Sequence, residues 1–361
     1  MGYPFIQEDV TVIYSTAPQT NINTMVEETV DDTKYKVALV DAFPGVVPNG
    51  EMVDDSSQVG DGSEFPRFVR LYRWGLSFNL SMLLNTELAL VLIKRAFGGT
   101  VTNAVVTAGL VWDHTVPFQN ARTQGRVPQA TTFVIPMVGG QDFVCGDMFV
   151  QSVQITQQGD ARPTATFALA GTGYHKRIRD YVTPLALPDP DTDTPEHHYF
   201  HGGMLGFTLN DGSVEDFAGQ GWLDSYQFDM QNTLQFRRAP GDGFLVAGDV
   251  RSGSYSRSVI HGKRTAGVQF QKLLDDDLPE YEWLRNNTLI TGLSITNVGD
   301  IIETTHKWEL EIIVPASQLQ STSPSTNNNF LTVNNNLMAL KDSVTLGLAK
   351  VRGRNGLATL T

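Results

Sequence analysis

Hydrophobic and polar residues alternate along most of this chain. Trp74, Leu76, Phe78, Leu80 and Met82 fall on one face of a stretch whose other face carries Gly75, Ser77, Asn79 and Ser81. That is the period-2 pattern of a half-buried strand. The same alternation returns at Ala165, Phe167 and Leu169, at Tyr226, Phe228 and Met230, and at Trp308, Leu310, Ile312 and Val314. Further strands are predicted over residues 36–41, 105–118, 131–138, 143–157, 258–274 and 289–297, with Gly, Pro and Asn clusters between them. The chain therefore reads as mainly β.

Two segments break the alternation and predict helices. One spans about 86–97, with Glu87 in its first turn, Lys94 and Arg95 in its last, and Gly98 placed to turn left-handed after its end. The other spans about 278–285, with Asp275, Asp277 and Glu280 at its start, Pro279 in its first turn and Arg285 at its end. Their surroundings match. GLSFNLSMLLNTELALVLIKRAFG (75–98) lines up by pattern with GVQFQKLLDDDLPEYEWLRNNTL (267–289), pairing Gly75 with Gly267. Upstream of each lie a strand, a long Gly-containing loop (42–67 and 239–257) and a return strand. This repeat of architecture predicts two tandem domains, 1–181 and 204–361. Residues 182–203, with Pro184, Pro188, Pro190 and Pro195, read as a stiff linker. The Ser/Thr/Asn-rich stretch 317–336 reads as an exposed loop before a closing strand near 344–351.

Composition narrows the function. A length of 361 residues allows two cores of ordinary size. The net charge of -13 argues against gripping nucleic acid through phosphates. One cysteine, Cys145, excludes an intrachain disulfide, and the absence of a leader pattern points to folding in a reducing cytoplasm. The longest apolar run, 88–93, is too short for a spanning helix, so no membrane partner is expected.

Candidate chemistry is sparse. His197 and His201 stand four apart beside His198, but Pro195 and Gly202 leave little helix to present them to zinc. Asp189, Asp191 and Asp193 open like a calcium loop, yet Thr194 and Phe200 stand where Gly and Glu are needed. Gly171 and Gly173 are a fragment of a dinucleotide fingerprint without its helix, and no phosphate loop or nucleophile elbow exists. Adjacent acids such as Asp54 and Asp55 point apart rather than at one bond. No enzyme activity, cofactor or metal is expected. The scattered bases Arg237, Arg238, Lys263, Arg264, Lys350, Arg352 and Arg354 suit salt bridges to a neighbouring subunit better than a nucleic-acid platform.

The strand-helix unit 75–98, WDHTVPF (112–118), CGDMFVQSVQITQ (145–157), ATFALAGTG (165–173), WLDSYQFDMQNTL (222–234) and WELEIIVP (308–315) together resemble the tail tube proteins of long-tailed bacteriophages. The resemblance implies two tail-tube-type β-sandwich or barrel domains, each flanked by a short helix. It implies a structural virion protein, made in the host bacterial cytoplasm, that self-assembles into stacked rings around a conduit for DNA ejection. A two-domain chain would form trimers with pseudo-hexameric symmetry. The implied partners are further copies of itself, a tape-measure protein and tail-tip or terminator proteins, with phage DNA passing through unbound. The long loops would reach the next ring, and their charges differ. Glu51, Asp54, Asp55, Asp61 and Glu64 lie in the first, while Arg251 and Arg257 join Asp242 and Asp249 in the second. The acidic balance suits a conduit that DNA must not stick to. The competing expectation is a tail-tip or adhesin-type binding sandwich that recognises a glycan through Trp283 or Tyr255.

Overall fold

The computed structural model describes residues 12–22, 24–27, 33–41, 45–54, 69–119, 128–135, 143–176, 181, 183–189, 200–209, 214–216, 223–237, 258–274, 278–327, 330–342, 347–358 and 360. Of these, 48–54, 69–74, 119, 201–205, 207–209 and 214–216 are described by backbone alone. The first half holds β1 (Val12–Ser15), β2 (Tyr35–Ala38), β3 (Val47–Asp54), β4 (Val69–Leu83), α1 (Leu88–Phe97), β5 (Thr102–Thr107), β6 (Val111–Gln119), β7 (Thr131–Ile135), β8 (Phe143–Gln158), β9 (Thr164–Gly171) and β10 (His175–Lys176). The second holds β11 (Phe200–Leu209), β12 (Val214–Asp216), β13 (Leu223–Arg237), β14 (Ser258–Leu273), α2 (Pro279–Arg285), β15 (Leu289–Glu303), β16 (His306–Asn327), β17 (Phe330–Ala339) and β18 (Gly347–Asn355). All pairings are antiparallel, and the fold is mainly β, of the sandwich or barrel class, with two short helices among the described residues.

The two halves carry the same connectivity. In the first, β1 pairs with β2 and β7, β7 with β8, β8 with β9 and β10, β3 with β4, and β4 with β9. Substituting β11, β12, β13, β14, β15, β16, β17 and β18 for β1, β2, β3, β4, β7, β8, β9 and β10 reproduces every one of these pairings. A register shift between Val150 and Ser152 on β8 recurs between Leu319 and Ser321 on β16, which makes Gln151 and Gln320 counterparts. Three pairings have no counterpart: the hairpin β5–β6, its attachment to β18, and β8 with β13. Those three join the halves or serve the join.

The pairings also correct the alignment of the repeat. Ser77 sits between Val47 and Ala170, as Gly267 sits between Asp229 and Met338. The counterpart of Gly267 is thus Ser77, two residues from the match by pattern. A slip of two keeps every side chain on its own face, so alternation alone does not detect it. Under the corrected register Leu80 matches Phe270, Met82 matches Lys272, and Ile93 in α1 matches Trp283 in α2, all buried.

Several local expectations also change. The stretch 105–118 is two strands, with a turn at 108–110 in which Gly109 takes φ +76°. Asn85, rather than Glu87, prepares the start of α1: its Oδ1 accepts the N–H groups of Glu87 (3.1 Å) and Ala89 (3.2 Å). The stretch 317–336 is no loop, because β16 runs on to Asn327 and β17 returns from Phe330. Its Thr and alternating side chains suit a strand, and it is exposed on both faces toward the tip. β11 begins inside the expected linker, and Leu185 in that linker packs with Ile13, Met25 and Tyr35.

Core packing explains why α1 is apolar nearly all round. It lies against β8 on one side and β6 on the other, where Phe97 stacks on Phe118 with centroids 4.7 Å apart. A side chain at Gly353 on β18 would strike Leu90. The second cover for α1 is therefore supplied within the chain by the inserted β5–β6 hairpin and β18. α2 lacks that insertion and buries only Glu280 and Trp283.

Candidate assembly interface

The halves meet first along β8 and β13. Ser152 lies opposite Gln231, Gln154 opposite Asp229 and Thr156 opposite Gln227. Beneath this row Val153, Ile155, Phe228 and Met230 are fully buried, so the core runs unbroken across the join. One sheet results, in the order β3-β4-β9-β8-β13-β14-β17-β16, four strands from each half in matching order.

The second join is β18, which lies between β16 of its own half and β6 of the other. Charge locks it on its solvent side. Arg354 donates to both oxygens of Asp113 on β6 (2.7 and 3.2 Å) and to Glu309 on β16 (3.1 Å), and Arg352 bridges Glu309 and Glu311. These carboxylates hold both guanidinium groups above their ordinary range, against the cost of partial burial. The arginines bind within the chain, not to a neighbour as the sequence suggested. At the end of β18, Asn355 Nδ2 donates to the Thr86 carbonyl (3.0 Å), and beyond it the Lys94 ammonium donates to the Leu360 carbonyl (2.6 Å). His114 bonds Asn103 (2.8 Å), Asn355 (2.9 Å) and the Leu357 carbonyl (3.0 Å), and burial holds its pKa below the ordinary histidine value.

Arg264 of β14 clasps the same region. Its Nη2 donates to the Ala96 and Phe97 carbonyls at the C-terminus of α1 (3.0 and 2.5 Å), and its guanidinium lies 4.4 Å from the Phe118 ring centre. Burial lowers its pKa to about 10. Sequence reading set Arg264 among scattered surface bases. Only its place opposite a helix end, invisible without the register, reveals its part in the join.

The eight-stranded sheet ends in two open edges among the described strands. β3 pairs on one side only, with β4, and the outer part of β16 pairs on one side only, with β17. These are the counterparts of the edges joined at β8–β13. The difference shows in exposure: Ile155 on β8 is fully buried, while its counterpart Pro324 on β16 is exposed, and Val47 on β3 is 52% exposed. Each open edge carries a proline, Pro48 and Pro324, a residue that restrains uncontrolled strand pairing.

Of the expected assembly residues, Glu51 and Asp54 lie on β3, whose backbone alone is described there. Asp55, Asp61, Glu64, Arg251 and Arg257 lie outside the described residues, as do Tyr255, Asp191, Asp193, His197 and His198. Asp189 is exposed, and His201 sits on β11. Among the described residues no cluster of His, Cys, Asp or Glu could hold a metal ion, and no helix is long and apolar enough to cross a membrane. Trp283, offered as a glycan-binding aromatic, is 7% exposed and part of the core, so it cannot stack on a sugar.

No protein-family model matches the chain, and no curated protein is similar to it. A solved structure of the Hcp1 protein from the E. coli EAEC 042 pathovar, in a doubly mutated form, matches 42% of this chain and 96% of its own at 12% identity, with a TM-score of 0.23. A likeness at that level bears on neither function nor assembly.

Proposed function

We propose that this chain is the subunit of a self-assembling tube of the phage-tail kind, with three chains to a ring. The observation that carries the reading is the β8–β13 pairing between halves of matching connectivity. One chain already holds two units of matching connectivity edge to edge, and the open β16 and β3 edges are the counterparts of the pair so used. Repeating the β8–β13 register there sets Ser321 opposite Asn49 of the next chain and Ser323 opposite Val47.

Each chain then contributes eight strands to the ring. Three chains make a closed barrel roughly 45–50 Å across from backbone to backbone, at a strand spacing of about 4.8 Å and a tilt of about 40°. Barrels of that size enclose an aqueous channel rather than a packed core. The loops bearing Asp55, Asp61, Glu64, Arg251 and Arg257 would then set the register between rings. The virion is the corresponding location, and tape-measure and tail-tip or terminator proteins the corresponding partners.

Cysteine cross-linking tests the ring. Cys145 is buried, so paired Ser321→Cys and Asn49→Cys substitutions report on the proposed edge. Oxidation is expected to yield covalently linked chains up to closed trimers, and neither single variant should do so. Chains that stay unlinked and monomeric at every concentration contradict the proposal.

A further inference from the structure

The middle of the outward face of the eight-stranded sheet is lined by uncharged polar side chains. Across it, Thr164, Thr156, Gln227, Gln269, Asn336 and Ser321 stand side by side in one row. The next row reads Ser81, Thr166, Gln154, Asp229, Gly267 and Met338. Residues alternating with these, such as Ile155, Phe228, Val268 and Leu337, are buried, so the polar set faces away from the core. On this polar side lies an open concavity of about 650 Å³ lined by amide and hydroxyl side chains that include Gln154, Gln227, Gln269 and Asn336.

In these two rows the only ionisable group is Asp229. Gln227 donates to it over 2.5 Å, and burial raises its pKa above the ordinary carboxylate value. Its counterpart in the first half is Val47, so a ring would carry one such carboxylate per chain rather than one per unit.

We infer that this concave face is the wall of the channel, and that its central rows pass a polyanion by offering it hydrated amides and hydroxyls with a single carboxylate per chain. The inference rests on the tube reading and deepens it. Lysine or arginine in these rows would hold phosphates through counterion release. A dense carboxylate lining would carry its own counterions and, at close spacing, raise the pKa of each group. Gln, Asn, Ser and Thr keep first-shell water bound while adding no long-range field.

Gln227→Cys tests the orientation, read with a small maleimide and with a maleimide on a carrier protein too wide for the channel. On assembly, labelling by the carrier should be lost while the small reagent still reacts. Tubes labelled equally by both overturn the inference and leave the tube reading standing. Failure to form rings or tubes at all overturns both. The charge claim has its own test: tubes of Gln227→Lys with Gln269→Lys should retain duplex DNA at low salt and release it as salt rises, while the parent retains none. Retention by the parent tubes would overturn the claim of a non-binding wall.

Discussion

Lys272 and Glu280 form a buried ion pair at positions whose counterparts in the first half are Met82 and Leu90, both fully buried. One fold thus meets the same contact once with charge and once with hydrocarbon. Removing one partner strands the other charge and should cost about 3–5 kcal/mol, whereas a paired apolar replacement is often neutral or stabilising. Lys272→Met and Glu280→Leu are each expected to lower the denaturation midpoint, and the double variant to restore or exceed it. Arg264→Ala should cost about 2 kcal/mol, because two carbonyls at the end of α1 lose a charged donor. His261, hydrogen-bonded to Asn232 over 2.8 Å, has its pKa lowered by burial from about 6.5 to about 4. A depressed pKa means that the unfolded chain takes up the proton first, so stability is full above about pH 6.5 and falls as pH drops toward 4. His114 is depressed in the same direction. Replacing His261 with Gln should flatten that acid limb in unfolding measured across pH.

At the scale of elements, the inserted β5–β6 hairpin separates the halves' otherwise matched plans. It covers α1, and α1 accordingly carries LALVLIKRAF where α2 carries PEYEWLR. Overfilling the contact beneath it, as Gly353→Val would against Leu90, should cost about 2 kcal/mol and loosen β18 first, read as faster amide exchange in 347–355. Much of this level was legible in the sequence. Alternation located most strands, and Gly98 with φ 71° ended α1 where the Lys94-Arg95-Gly98 pattern placed it. The insertion was not, because 105–118 reads as one continuous apolar alternation and hides the turn at 108–110. The β16–β17 hairpin was missed because Ser, Thr and Asn usually mark loops, and an exposed strand has no buried face to betray it. The joins at Arg264, Arg352 and Arg354 depend on long-range register, which no local pattern encodes.

For the whole molecule, an internally joined pair of units offers one free edge at each end. Heterologous edges of this kind close into a ring when the rotation allows and otherwise run on as a filament. Pro48 and Pro324 weaken hydrogen bonding at those edges, so assembly should begin above a threshold concentration. Reversing charge at Asp54 and Asp55, next to the loop that would meet the neighbouring ring, is expected to shorten or abolish tubes while leaving single rings intact, read as length distributions in electron micrographs. Imaging the purified chain above that threshold and averaging end-on views decides whether rings of three chains form. The expected particles are rings of three chains, sixfold in outline and threefold in detail, around an open channel. Particles that remain single chains, or rings without threefold symmetry, would contradict the proposed ring.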